Sequence, residues 1–216
     1  CNNMKDNVFF VSGIDTNVGK SYATGYLAKT WNEQGVRTIT QKFIQTGNVG
    51  MSEDIELHRK IMGTGLLPED ESGLTMPEIF TYPCSPHLAA EIDHRPIDFD
   101  KIEKATRQLS ETYDAGLLEG AGGLMVPLTR DLLTIDYVAQ KNYPLIFVTS
   151  GKLGSINHTL LSLEAVTRRG IRLHTVAYNL FPEEDDDIIR RDTEAYIRDL
   201  LAKEYPETHF VIVPKL

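Results

Sequence analysis

The stretch Gly13-Ile14-Asp15-Thr16-Asn17-Val18-Gly19-Lys20-Ser21 follows the apolar run Val8–Val11 and leads into a segment of helical periodicity. A glycine-containing turn between a strand and a helix, closed by Gly-Lys-Ser, is the setting of a phosphate-binding loop. The backbone N–H groups of such a loop and the helix N-terminus together make a positive concavity. Lys20 is placed to reach the outer phosphates, and the Ser21 hydroxyl to sit on Mg²⁺. The strict pattern sets four residues between its first glycine and the Gly-Lys pair. Here five residues separate Gly13 from Gly19, and Ile14 holds the strict glycine position. The loop is therefore a variant. A chance Gly-Lys-Ser at a helix start is the plainer alternative, and the strand before it and the helix after it weigh against that.

Other residues with chemical potential also fall at the ends of apolar runs. Glu119 closes Ala115–Leu118 and precedes Gly120-Ala121-Gly122-Gly123. A carboxylate there suits Mg²⁺ or its waters, and glycines let phosphates approach the backbone; the alternative is a carboxylate that caps the turn. Lys42 ends a β-branched run beginning at Thr38, and is read equally as a solvated side chain or a site lysine. Asp54 opens a helix, where an acid serves the macrodipole as readily as a ligand. Ser150-Gly151-Lys152-Leu153-Gly154-Ser155 is a second glycine-containing strand-to-helix turn. Its amides suit a carboxylate or phosphate, and it reads equally well as a tight turn. The acidic run Glu183–Asp187 is read as a solvated helix start. The six histidines show no metalloprotease spacing, and Cys84, His87 and His94 are read as coincidence.

These positions imply a scaffold that holds strand ends side by side. Helices are predicted over 21–34, from a Ser52 cap to Gly63, from Ser85-Pro86 onward, over 98–113, from a Thr134 cap, over 155–169 and over about 185–201. Strands are predicted at 8–11, 38–43, 79–82, 115–118, 145–149, 174–179 and 210–213. Residues 64–77 read as loop. The alternation predicts an α/β fold: a doubly wound, mostly parallel sheet flanked by helices, as one domain over residues 1–216. Ligands of such sheets sit at the carboxyl ends of the strands. Lys20, Lys42, Glu119, Lys152 and Asn179 all fall there.

The chain has 216 residues, enough for a sizeable core without covalent staples. Its net charge of -9 argues against a nucleic-acid or anionic-membrane surface. Its two cysteines, Cys1 and Cys84, form neither a disulfide framework nor a zinc spacing, and a reducing cytosol is the expected compartment. No signal peptide and no membrane span is expected. Cys1-Asn2-Asn3, ahead of Met4, is given no function.

Taken together, Gly13–Ser21, Lys42-Phe43-Ile44-Gln45-Thr46-Gly47, Ser85-Pro86-His87, Glu119–Gly123 and Lys152-Leu153-Gly154-Ser155-Ile156-Asn157-His158 resemble the dethiobiotin synthetases. The five-residue gap in the loop is a feature of that family, and the match runs nearly the length of the chain. The resemblance implies a P-loop NTPase fold and an ATP- and Mg²⁺-dependent carboxylation and ring closure of 7,8-diaminononanoate with CO₂. A carbamate forms, ATP phosphorylates it, and the second amine closes the ring. It implies Lys42 and Lys20 as catalytic lysines, and Ser21, Asp54 and Glu119 as Mg²⁺ ligands. It implies nucleotide contacts from Asn17, Val18, Gly19, Lys20, Ser21, Tyr22, Asp54, Glu119, Gly120, Ala121 and Gly122, with Asn179, Leu180, Pro214, Lys215 and Leu216 around adenine. Substrate contacts fall to Thr16 and Thr46, and to Lys152, Leu153, Gly154, Ser155 and Asn157 from the other subunit of a homodimer. Phe43 stands where proline often follows the lysine, and Leu180 where aspartate is common.

Two rival readings share the loop. A partition- or targeting-type switch would carry an early second lysine in a Lys-Gly-Gly start, and Ser12-Gly13-Ile14 lacks it. A small-molecule kinase or another ring-forming synthetase would not call for Lys42 with Thr46 and the 119–123 loop.

Overall fold

The computed structural model describes residues 6–181 and 184–215. The expectations for Cys1–Asn3, Glu183 and Leu216 lie outside them. β1 (Val8–Gly13) leads through the glycine turn into α1 (Lys20–Glu33) and β2 (Thr38–Lys42). A run of shorter elements follows: β3 (Gln45–Thr46), α2 (Glu53–Met62), α3 (Pro68–Glu71), β4 (Ile79–Phe80) and α4 (Pro86–Ile92). Then come α5 (Phe99–Thr112), β5 (Ala115–Glu119), a hairpin of β6 (Pro127–Thr129) and β7 (Leu132–Leu133), and α6 (Thr134–Lys141). The chain ends through β8 (Leu145–Ser150), α7 (Ser155–Arg168), β9 (Leu173–Asn179), α8 (Asp187–Glu204) and β10 (His209–Val213).

Six strands form the central sheet in the order β10-β9-β8-β1-β5-β2, and every pairing in it is parallel. β1, wholly apolar up to Ser12, is the third strand from the β2 edge and is covered on both faces, as its near-continuous hydrophobic run requires. The chain winds outward from β1 in one direction to β2, and from β8 in the other to β10. Right-handed crossovers then put α1 on one face and α5 to α8 on the other. Val11, Leu27, Leu117, Ile146 and Val148 fill the core under α1. Phe10, Phe43, Ile102, Val138, Phe147, Leu163 and Ile197 fill the opposite one. The reversal of winding leaves a crevice at the carboxyl end of β1, between β5 and β8.

Three local expectations are corrected. Thr134 does not cap α6; it is the first helical residue, and its N–H and hydroxyl both donate to the Val126 carbonyl at 2.9 and 2.8 Å. The loop over 64–77 contains the short helix α3, which Asp70 closes by accepting from the Leu67 N–H. The 79–80 strand pairs with β3 in a separate two-stranded sheet rather than with the central one. The Ser52 cap stands as expected: its hydroxyl accepts from the Ile55 N–H at 3.1 Å and donates to Gln45 Oε1 at 2.6 Å. That second bond ties the start of α2 to the segment following Lys42.

Candidate nucleotide and phosphoryl-transfer site

The turn after β1 closes on itself. The Asn17 N–H donates to Asp15 Oδ1 at 2.7 Å, and Lys20 Nζ donates to the Asp15 carbonyl at 2.9 Å. Gly19 has φ +88°, the left-handed region in which an L side chain is strained, and a Cβ there would also collide with the Asn179 amide. Glycine is thus required where α1 begins. Burial, with the Lys42 charge adding to it, draws the Lys20 ammonium down to about 8 against the pull of Glu119, Asp15 and Asp54.

Beside this loop, parallel pairing sets Lys42 of β2 opposite Glu119 of β5. Both side chains point to the α1 face. Lys42 Nζ donates to Glu119 Oε2 at 2.9 Å, to Asp54 Oδ2 at 2.6 Å and to the Gly120 carbonyl at 3.3 Å. Burial alone would depress this lysine, but Glu119 and Asp54 outweigh it and hold it above its ordinary range. Burial would likewise raise Glu119, but Lys42 and His58 hold that carboxyl well below the usual range, so it is ionised. Ser21 Oγ donates to the same Glu119 Oε2 at 3.0 Å.

These groups line one cleft of about 350 Å³. Thr16, Asn17, Gly19, Lys20, Ser21 and Tyr22 form one wall, Lys42, Thr46 and Asp54 another, and Glu119, Ala121 and Gly122 the floor. Ile44, Gln45 and Glu53 also line it, which the residue patterns did not signal. Ser21, Asp54 and Glu119 offer a hydroxyl and two carboxylates. That hard oxygen set suits Mg²⁺, and the ammonium of Lys42 already lies between the two carboxylates as a cation would.

Val18 and Asn179 lie at the back of the loop. Asn179, at the end of β9, is buried and donates from Nδ2 to the carbonyls of Val18 and Gly19 at 3.1 and 3.3 Å. It clamps the loop to the sheet, a role the sequence reading had not given it. The Leu180 N–H donates to the Val213 carbonyl at 3.0 Å, which brings Leu180, Pro214 and Lys215 to the same end of the sheet. The Tyr22 and Phe181 rings lie 6.0 Å apart at this corner.

Lys152, Leu153, Gly154, Ser155 and Asn157 do not line this cleft. They form the turn between β8 and α7, with Gly154 at φ +97° and Ser150 Oγ within 3.0 Å of Ser155 Oγ. The Leu153 side chain is 78% exposed. Its N–H donates to the Glu184 carboxylate at 2.9 Å, so one amide of this turn is engaged by a carboxylate of the same chain.

His58 is the buried functional group that sequence reasoning passed over. It stands one turn after Asp54 on α2, and Nε2 meets Glu119 Oε1 at 2.8 Å. The i, i+4 spacing sets His58 on the same face of α2 as Asp54, but no residue near it in the chain reports Glu119.

Among the described residues no helix is long and apolar enough to cross a membrane. A family model described as an AAA domain matches residues 7–216. The chain is 52% identical over 206 residues to the ATP-dependent dethiobiotin synthetase BioD 2 of Pasteurella multocida, covering 95% of this chain and 96% of that one. It is 56% identical over 184 residues to the enzyme of that name from Haemophilus influenzae, covering 85% and 96%. It is 52% identical to the ATP-dependent dethiobiotin synthetase BioD of Chlorobaculum tepidum, covering 88% and 80%. Among solved structures, chloroplast FtsY of Physcomitrella patens aligns at a TM-score of 0.53 and 14% identity, covering 99% of this chain and 60% of that one. The Aquifex aeolicus MinC:MinD complex aligns at 0.56 and 12%, covering 97% and 82%. At these identities the likeness is one of fold.

Proposed function

The chain belongs to the family of ATP-dependent dethiobiotin synthetases, and from that premise we propose that it closes the ureido ring of dethiobiotin at the cleft around Lys42. The reaction joins CO₂ to one amine of 7,8-diaminononanoate, transfers the γ-phosphoryl group of ATP to the carbamate, and lets the second amine displace phosphate. Little covalent work falls to the protein; it must position the reactants and neutralise charge around the phosphoryl group.

The observation that carries the reading is the joining of Lys20, Ser21, Lys42, Asp54 and Glu119 in one cleft at the end of β1. The turn amides and Lys20 take the phosphates. Lys42, held charged and aimed by two carboxylates, is the cation best placed for the carbamate and the moving phosphoryl group. Ser21, Asp54 and Glu119 would hold Mg²⁺, which supplies charge neutralisation on the phosphate oxygens when bound. Thr16 and Thr46 face the diamine. Asn179, Leu180, Pro214 and Lys215 border the adenine. The turn 152–157, whose amides suit a carboxylate, serves the substrate tail in the cleft of a second subunit, so the active unit is a homodimer of single-domain chains. The compartment is the cytoplasm.

The test is phosphate release from MgATP and bicarbonate, with and without 7,8-diaminononanoate, with the product followed by mass. Diamine-dependent release accompanied by dethiobiotin is expected. Diamine-independent hydrolysis, or none, would return the chain to the switch-ATPase class.

A further inference from the structure

Glu119 has two oxygens with separate partners. Oε2 faces the cleft and accepts from Lys42 and Ser21. Oε1 faces inward and meets His58 Nε2 at 2.8 Å. Both His58 and Glu119 are essentially without solvent exposure. An ionised carboxylate only accepts hydrogen bonds, so Nε2 carries the proton and donates. The other ring nitrogen, Nδ1, lies 2.7 Å from Thr40 Oγ1. That hydroxyl already accepts from Arg59 Nη1 at 2.7 Å and has its own proton to give to Nδ1. Arg59 is fixed in turn by Asp70, through Nε at 2.7 Å and Nη2 at 2.8 Å. The result is an unbroken buried chain: Asp70, Arg59, Thr40, His58, Glu119.

We infer that His58 is a positioning residue that pins one oxygen of Glu119 inward, so that the carboxylate presents a single oxygen to Lys42, Ser21 and the cation of the nucleotide. The arrangement follows from the local fold. Thr40 and Lys42 alternate on β2 and so point to the same face, and Asp54 and His58 share one face of α2. Docking α2 on that face sets Asp54 against Lys42 and His58 against Glu119 in one step. Without the ring, Oε1 has no partner. The carboxylate is then free to rotate or to chelate through both oxygens, and the distances to Lys42 and Ser21 are lost. Outer partners of this kind orient the groups that do the binding.

The inference rests on the reading of this cleft as the MgATP site, and its test has a binding readout. ADP binding is measured by calorimetry across a Mg²⁺ series for wild type, His58→Leu and His58→Gln, beside diamine-dependent phosphate release. In His58→Leu the Mg²⁺ concentration for half-maximal ADP binding is expected to rise about tenfold or more, with turnover falling in parallel. ADP affinity without Mg²⁺ should stay within about twofold of wild type. His58→Gln keeps an N–H that can reach Oε1, and should recover most of the loss. A folded His58→Leu with the Mg²⁺ dependence of wild type overturns the inference, as does a folded His58→Gln impaired as badly as the leucine variant. If His58→Leu does not fold, Thr40→Val carries the test. The ring then stays but loses its hold at Nδ1; about a threefold rise in Mg²⁺ requirement is expected, and no change overturns the inference. A wild type that binds MgADP but makes no dethiobiotin sinks the reaction assignment and leaves the His58 comparison readable. A wild type that binds no MgADP sinks both.

Discussion

Lys42 and Glu119 are 77 residues apart in the chain and register partners in the sheet, with Nζ 2.9 Å from Oε2. β2 and β5 are not consecutive, so the pair exists only once the crossover through α5 is made. The ion pair is almost dry, with side chains 6% and 1% exposed. Removing either partner leaves an uncompensated buried charge, which is the expensive way to break such a pair.

Lys42→Ala should therefore have two measurable effects. Turnover should fall about 100-fold or more, the scale for loss of one charge-stabilising donor in a transition state, with a smaller change in KM for ATP. The midpoint of urea unfolding should also fall, by a stability loss of about 3 kcal/mol, because Glu119 and Asp54 lose their cation. Near-wild-type kcat would remove Lys42 from the chemistry.

Asn179→Ala tests the clamp on the phosphate loop. Nδ2 alone holds both the Val18 and Gly19 carbonyls from the side of β9. Its removal should weaken ADP binding about tenfold and cost about 1–2 kcal/mol of stability, the range for losing buried hydrogen bonds. Binding followed by calorimetry and stability followed by thermal melting would separate the two. Unchanged ADP affinity would show that the loop holds its shape without the clamp.

The opposite end of the sheet predicts a pH effect that does not involve the cleft. His174 of β9 lies among Phe9, Trp31 and His209. Burial, then the charges of His209 and Arg172, depress it to about 4. Between that value and its unfolded value near 6.5, the unfolded chain binds a proton that the folded chain refuses. Stability is therefore fully present above pH 6.5 and is lost as pH falls toward 4. His174 is only half-buried, and after screening the loss should be about 1 kcal/mol. Denaturant melts at pH 7 and pH 4.5 should show a shallower decline in His174→Gln than in wild type; an equal decline would assign the acid sensitivity elsewhere.

A shared active site predicts complementation. Lys42→Ala and Asn157→Ala subunits, each impaired alone, should regain about a quarter of wild-type activity when mixed and allowed to exchange, since one composite cleft in the hybrid is then intact. Absence of rescue, with hybrids verified by mass, would count against a shared site.

The parts of the site legible in the sequence were those encoded by local pattern. Gly19-Lys20-Ser21 at a strand-to-helix junction, and Glu119 ahead of its glycines, declare themselves within a few residues. The parallel sheet followed from alternation alone. Lys42 was ambiguous because nothing near it in the chain reports that Glu119 lies opposite. His58 was missed for the same reason: its partners, Glu119 and Thr40, stand on two strands that only tertiary packing brings under α2. The resemblance implies Asn179 beside the adenine; the bonds from its Nδ2 to the Val18 and Gly19 carbonyls, 161 and 160 residues away in the chain, are ones no local pattern reports. Thr134 resembled a helix cap by type, but the Val126 carbonyl across the β6–β7 hairpin takes its hydroxyl.

The central β1 and the edge strand β10 differ in local stability. β1, which bears the phosphate loop, is hydrogen-bonded to β5 on one side and β8 on the other, so its amides should exchange with solvent only on global opening. β10 has β9 on one side and, among the described residues, no strand on the other. It can fray and re-form while the rest of the sheet persists. Pro214 and Lys215 follow that edge strand, and Leu180 hangs from its Val213 carbonyl. The segment proposed to border the nucleotide base thus stands on the less protected strand, and the loop proposed for the phosphates on the more protected one.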